Sequence, residues 1–316
     1  MALQFLTITS PLFQTGTYQL SYEFFGLPVG TAPVILVNHA LTGNSTVVGQ
    51  LGWWNDLVGS GKVINTDKYT VLAINIPGNG YDKNAQNLIS NYQAFSTKII
   101  AHFFWEVIDK LNITKLFAVV GGSLGGAIAW EMAFLRPTQI QKLIPIATNY
   151  KASDWLIGQV LVQESILNNS KNPIHDARKH AMLLYRCPEG INQKFQTEWL
   201  SNTNQFKVEN WLHYHADALY QRFTLPAYQL MNHLLKTIGR HLSTVHLAHW
   251  AIHFTGEVHI IAINSDLLFT ANEQVKTYQF LKNSVNAQYS EISSIHGHDA
   301  FLIEFNQISQ FINTHF

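Results

Sequence analysis

Five short apolar runs recur along the chain, at Val34 to Val37, Thr70 to Ile76, Leu116 to Val120, Leu143 to Ala147 and Val258 to Ile263. Each is flanked by polar or turn-forming residues, the pattern of a strand buried on both faces. Between the second and third runs, Phe95, Ile99, Phe103, Val107 and Leu111 step by four, which predicts a helix with one apolar face. After the third run, Leu124, Ile128, Met132 and Leu135 keep helical spacing until Arg136-Pro137, where proline ends the helix. Strands alternating with helices predict an α/β fold, a mostly parallel sheet with helices on both faces. A last helix is expected after Asp299, carrying Phe301, Leu302, Phe305, Ile308 and Ile312 against the sheet.

The alternation breaks between Lys151 and Phe254, a stretch rich in helix formers, aromatics and histidines with no buried-strand pattern. The expected organisation is a core from residues 1–150 and 255–316, with residues 151–254 as a helical lid insertion over the carboxyl edge of the sheet, where open α/β sheets bind ligands. A separate helical domain is the other reading, although no Gly-, Ser- or Pro-rich linker marks either border.

The chemistry centres on Val119-Val120-Gly121-Gly122-Ser123-Leu124-Gly125-Gly126. A strand, a tight glycine turn and a helix in that order present a serine as a nucleophile, with the helix's free N–H groups beside the reacting carbonyl. Serine needs a base, and the base needs a carboxylate to orient it. Asp266, after the run Val258 to Ile263, and His298, just before the last helix, supply both in the order Ser, Asp, His. His296 is the rival base, and Asp266 and Asp299 are each placed to cap a following helix instead. Two backbone N–H groups should receive the oxyanion, one from Leu124 and one from the loop after Val34 to Val37, where Leu41 is the candidate.

Composition narrows the partners. Lys and Arg number 20, equal to Asp and Glu, so no basic surface argues for nucleic acid and the substrate is expected to be small. The only cysteine, Cys187, excludes an internal disulfide and is a weak nucleophile candidate. The N-terminal Met1-Ala2-Leu3-Gln4-Phe5 lacks the pattern of an export signal and no run is long enough to cross a membrane, so a cytoplasmic protein is expected. Sequons at Asn44, Asn112 and Asn168 are therefore given no function. His246, His249 and His253 would share a helix face, but no carboxylate or cysteine joins them, so no metal is assigned. The pair Trp53-Trp54 reads as packing.

His39-Ala40-Leu41-Thr42-Gly43, Gly121 to Gly126, Ser265-Asp266-Leu267-Leu268-Phe269 and Gly297-His298-Asp299-Ala300-Phe301-Leu302 together resemble homoserine O-acetyltransferases, with a weaker match at Ala177-Arg178 and Leu184-Tyr185-Arg186. The resemblance runs from about residue 20 to the C-terminus and implies an α/β-hydrolase fold. It further implies transfer of an acetyl group from acetyl-CoA, a co-substrate with no bound cofactor, to Ser123 and then to the hydroxyl of L-homoserine. On the same basis Arg178 would bind the homoserine carboxylate and Asp299 its ammonium, with Tyr185 and Thr42 as secondary contacts. A homodimer through the helical insertion is implied as well. The chain departs from the family at Ile76-Pro77-Gly78-Asn79-Gly80-Tyr81-Asp82, where many members carry Ser-Thr-Gly-Pro, between Ile166 and Arg178, which looks shorter, and at Leu124, where methionine is common. A serine esterase or thioesterase is the nearest alternative, followed by a transferase using succinyl-CoA or L-serine and by a non-catalytic protein on the same fold.

Overall fold

A computed structural model describes residues 3–9 and 16–316; Met1 and Ala2, the start of the N-terminal segment read above, lie outside the described residues. Among the described residues the main sheet has strands β1 (Gln4–Thr9), β2 (Thr17–Gly26), β3 (Val34–Asn38), β4 (Thr70–Ile74), β5 (Leu116–Gly122), β6 (Ile140–Ile146), β7 (Glu257–Ile263) and β8 (Asn286–Ile292). Their spatial order is β1-β2-β4-β3-β5-β6-β7-β8. The pairs β1 with β2 and β2 with β4 are antiparallel; every later pair is parallel.

The five apolar runs are the parallel interior, β3 to β7. Because side chains alternate across a strand, both faces of these strands must be apolar. Leu36, Leu72, Val119, Leu143 and Val258 belong to the core under helices α1 (Thr97–Lys110) and α2 (Leu124–Leu135). Ile35, Val71, Val120, Ile144 and Ile261 face the other way, onto Trp54, Phe301 and Ile308. The expected packing role of Trp54 is seen in its full burial, with Nε1 donating to the Phe301 carbonyl at 3.1 Å.

Three strands escape the hydrophobic pattern, and each has a reason. In β1 only Ile8 is buried and in β8 only Ile292, as befits the two edges of the sheet. In β2 the buried positions include Ser21 and Glu23, held by hydrogen bonds in place of apolar contact. Ser45 Oγ donates to Glu23 Oε2 at 2.6 Å and Asn75 Nδ2 to Ser21 Oγ at 2.9 Å.

Between β6 and β7 lie six helices: α3 (Asp154–Asn169), α4 (Pro173–Tyr185), α5 (Pro188–Phe195), α6 (Lys207–Tyr220), α7 (Leu225–Thr237) and α8 (Thr244–His253). The only strands described among them are the two-residue pair Trp199–Leu200 and Gln205–Phe206. α3 packs on α7 and α4, and α4 packs on α6. The segment is tied to the sheet's helices at one buried knot. Thr97 donates its N–H to Thr237 Oγ1 (3.0 Å) and its hydroxyl to Glu131 Oε1 (2.9 Å), while Gly239 N–H donates to the same carboxylate oxygen (3.1 Å). Burial pushes the Glu131 carboxyl up to about 7, against the hydrogen bonds from Thr97 and Gly239 and the charge of Lys98.

Helix α9 (Ala271–Leu281) connects β7 to β8. The expected last helix is two pieces, a 3-10 turn over Gly297–Leu302 and α10 (Phe305–Ile312). Ile303 and Glu304 both donate backbone N–H groups back to the Ala300 carbonyl, which closes the first turn and makes the chain restart. No helix of the described residues is long and apolar enough to cross a membrane.

Candidate active site

Ser123 lies between the end of β5 and the first turn of α2, with φ +56° and ψ −126°. That backbone conformation is costly for a residue with a side chain and survives only when its surroundings over-determine it. Here they do. A Cβ on Gly121 would come within 2.5 Å of the Gly125 backbone, and one on Gly125 within 2.4 Å of the Asn38 carbonyl oxygen, so only glycine permits this close approach. Asn38 Nδ2 also donates to the Gly125 carbonyl at 3.1 Å, fastening the end of β3 to the start of α2.

Ser123 Oγ is 2.8 Å from His298 Nε2, and His298 Nδ1 is 2.6 Å from Asp266 Oδ2. A carboxylate can only accept, so Nδ1 carries the imidazole proton and Nε2 is left to accept from the serine hydroxyl. All three residues are buried. The other oxygen of Asp266 accepts from the N–H groups of Leu268 (2.7 Å) and Phe269 (2.8 Å), which fixes the carboxylate; α9 begins later, with Thr270 at its N-cap position and no side-chain cap. The His298 ring stacks on Phe269, with centroids 5.6 Å apart, and meets Phe301 edge-on. His296 makes no contact with Ser123: its backbone N–H is tied to Ser294 and its side chain lines an outer pocket beside Arg186 and Trp211.

Leu124 is the first residue of α2, so its N–H has no acceptor within the helix. Gly43 N–H donates to the Ala40 carbonyl at 2.9 Å, a turn whose hydrogen bond leaves the intervening Leu41 N–H free of it. Sequence reading assigned nothing to His39, yet it rivets this turn. Its Nε2 accepts from the Ile76 N–H at 3.0 Å and its Nδ1 donates to the Ala40 carbonyl at 2.7 Å. Burial lowers its pKa to about 4, so the ring stays neutral and keeps this pair of roles. The signal was present in His39-Ala40-Leu41-Thr42-Gly43, but only the fold reveals that a histidine there braces backbone and carries no proton for the chemistry.

The helical segment brings a second set of side chains to the same place. Arg178 on α4 lies over the Tyr185 ring at 5.6 Å, and Tyr185 in turn is 5.8 Å from the His298 ring. The Nε of Arg178 is buried without a hydrogen-bond partner, while the buried Tyr228 and Gln163 side chains interact with each other. Asp299 does not cap α10, whose N-cap residue is Glu304; it pairs with Arg186, Nε to Oδ2 at 2.9 Å. Burial raises the Asp299 pKa against the pull of Arg186 and Arg178. Thr42 is set outward, its carbonyl accepting from Arg222 Nη1 at 2.7 Å. Leu41, Tyr185, Gln163, Tyr228 and Leu268 line an inner cavity of about 10 Å³. Gln163 and Tyr228 had no place in the sequence reading, and Arg186 entered it only through the weaker match at Leu184-Tyr185-Arg186, because helical spacing alone does not tell which helix face meets the sheet.

Cys187 is buried and structural: its Sγ donates to the Ile295 carbonyl and accepts from Gly190 N–H at the start of α5. Among the described residues no group of three or more His, Cys, Asp or Glu side chains converges as a metal site. The His246 ring is tied to Ser243, and His249 and His253 lie against each other.

Residues 33–303 match the family model described as alpha/beta hydrolase fold. The homoserine O-acetyltransferase of Corynebacterium glutamicum is 30% identical over 336 residues, covering 95% of this chain and 86% of that protein. The crystal structure of homoserine O-acetyltransferase from Bacillus anthracis aligns with a TM-score of 0.86 at 18% identity, covering 99% of this chain and 96% of that one. Esterase E22 aligns equally well, TM-score 0.86 at 17% identity over 99% of this chain and 98% of its own. At such identities these two structures show the shared fold alone.

Proposed function

The chain belongs to the α/β-hydrolase fold family and, within it, to the homoserine O-acetyltransferases, and on that premise we propose that it carries an acetyl group from acetyl-CoA to the hydroxyl of L-homoserine through an acyl-serine at Ser123. In the first half-reaction Ser123 Oγ attacks the thioester carbonyl carbon as His298 Nε2 takes its proton. The N–H groups of Leu41 and Leu124 receive the negative charge on the carbonyl oxygen. Collapse breaks the C–S bond, and the proton on His298 passes to the leaving thiolate of CoA. The second half-reaction repeats this with the homoserine hydroxyl as nucleophile and Ser123 as leaving group, and returns the enzyme unchanged. Asp266 holds the His298 tautomer throughout and stabilises the imidazolium.

One observation carries the choice of acceptor: a half-buried arginine, Arg178, whose Nε is buried and unpartnered and which has no carboxylate in ion-pair contact, beside a carboxylate, Asp299, that adjoins the catalytic histidine. An amino acid presents the opposite charges, α-carboxylate to Arg178 and α-ammonium to Asp299, and each pair is a charge-assisted hydrogen bond. Water, the acceptor of a hydrolase, uses neither. Tyr185 serves as a secondary contact, and the helical segment acts as the lid that excludes water. Methionine biosynthesis in the cytoplasm is the setting that this activity implies.

The reading is tested by thiol release from acetyl-CoA with and without L-homoserine. Release that depends on homoserine, with a Ser123-bound acetyl group seen by mass spectrometry and absent in Ser123→Ala, is expected. Equal release without acceptor replaces it with a thioesterase. We assign the exposed Trp155, Leu161 and Val162 of α3 to a homodimer contact through the helical segment. Sedimentation should show a dimer that Leu161→Glu converts to monomer.

A further inference from the structure

Within the segment Ile76 to Asp82, where this chain leaves the family pattern, Asn79, Gly80 and Tyr81 form one wall of a pocket that the chemistry above does not use. The pocket has a volume of about 500 Å³ and is lined by Thr42, Asn79, Lys83, Arg222 and Thr224, among others. No acidic residue lines it. Among the described residues neither Lys83 nor Arg222 is in ion-pair contact with a carboxylate. Thr224 is the N-cap of the 13-residue α7, so the positive end of that helix opens on the same space. Desolvation and, after it, the positive charge of Arg178 lower the Arg222 pKa, and an anion in the pocket offsets both.

The pocket also has an address. Leu41 lines the inner cavity and the next residue, Thr42, lines this one, so the oxyanion turn is the wall between them. The opposite wall is braced: Tyr81 Oη and Thr46 Oγ1 are 2.6 Å apart, Tyr81 N–H donates to Asn79 Oδ1 at 3.1 Å, and Asn79 Nδ2 donates to Asn75 Oδ1 at 3.1 Å. Gly78 (φ +79°) and Gly80 (φ +74°) let the backbone turn there.

We propose that this pocket binds the phosphate groups of the CoA donor through Lys83, Arg222 and the N-terminus of α7, with the pantetheine arm passing over Thr42 to deliver its thioester to the oxyanion turn. The proposal rests on the acetyl-CoA reading above and adds to it a specificity element outside the catalytic relay. Arg222 then acts twice, on phosphate and on the Thr42 carbonyl, which couples donor binding to the turn that holds the oxyanion.

Two measurements test it. In the unaltered protein, adenosine 3′,5′-bisphosphate should inhibit competitively against acetyl-CoA and not against L-homoserine; inhibition competitive with homoserine, or none at millimolar concentration, overturns the site. In Lys83→Glu, the preference for acetyl-CoA over S-acetyl-N-acetylcysteamine, a thioester without phosphates, should fall at least fivefold in kcat/KM, and a smaller change overturns the role of Lys83. Acceptor dependence of thiol release is read separately, so failure of the phosphate site is distinguishable from failure of the transferase reading.

Discussion

The catalytic relay and the helical wall facing it are built to different standards. Ser123, His298 and Asp266 are fastened to the ends of β5 and β7 and to a 3-10 turn, and their polar atoms are paired with one another or with backbone. Opposite them, Arg178 Nε is buried and unpartnered. A buried polar group without a partner costs roughly 1–3 kcal/mol, which a folded protein tolerates where a ligand supplies the missing hydrogen bond. The relay is thus fully paired before any substrate arrives, whereas on the proposed reading the facing wall is completed by the acceptor.

The strongest way to break this division is Asp266→Asn, which leaves the fold intact but favours the wrong His298 tautomer. Both half-reactions should slow by roughly 10³- to 10⁴-fold, measured as thiol release and as homoserine acetylation. If acylation survives at more than a tenth of the parent rate, the relay is not what activates Ser123. Next in size is Arg178→Gln. Here kcat/KM for L-homoserine should drop about 100-fold, about 2.7 kcal/mol, while the burst of acyl-enzyme from acetyl-CoA persists. Equal loss in both half-reactions would erase the contrast between the two regions.

The smallest effect concerns the knot that joins them. The folded-state pKa of Glu131 is raised from 4.5 to about 7, so the folded protein holds more protons than the unfolded chain in that interval. Stability from this group is therefore full below about pH 4.5 and is lost as pH rises through 7. His241, whose Nε2 is 3.6 Å from Glu131 Oε2, is lowered to about 4 and acts with the opposite sign, losing stability as pH falls. Lys98 is the other charge that bears on the carboxyl, favouring its ionised form. Comparison with Glu131→Gln isolates the carboxyl: the variant should gain roughly 1–3 kcal/mol over the parent at pH 8 and little at pH 5, read from urea unfolding midpoints. No pH dependence in that difference would mean that Glu131 is ionised in the folded protein.

Much of the relay could be read along the chain because its members lie next to strands that announce themselves. Ser123 follows β5, Asp266 follows β7, and His298 opens the turn before the last helix. The edge strands were silent for lack of a continuous apolar run, and β2 was silent because Ser21 and Glu23 are buried through hydrogen bonds. The Asp299 side chain was open between capping and ligand binding; α10 starts six residues later, which removes capping of that helix, and Arg186 lies against the carboxylate.

What the sequence by itself determined is the parallel interior of the sheet and the order of the chemical groups around it, since burial on both faces and a glycine-framed serine leave direct marks on local composition. Only the tertiary structure decided which histidine reaches Ser123, that His39 stays neutral to brace the oxyanion turn, and which polar atoms of the helical segment are left unpaired. Those are properties of long-range approach, set by how helices pack across the sheet edge, and periodicity along a chain records only that a face is buried and not what it is buried against.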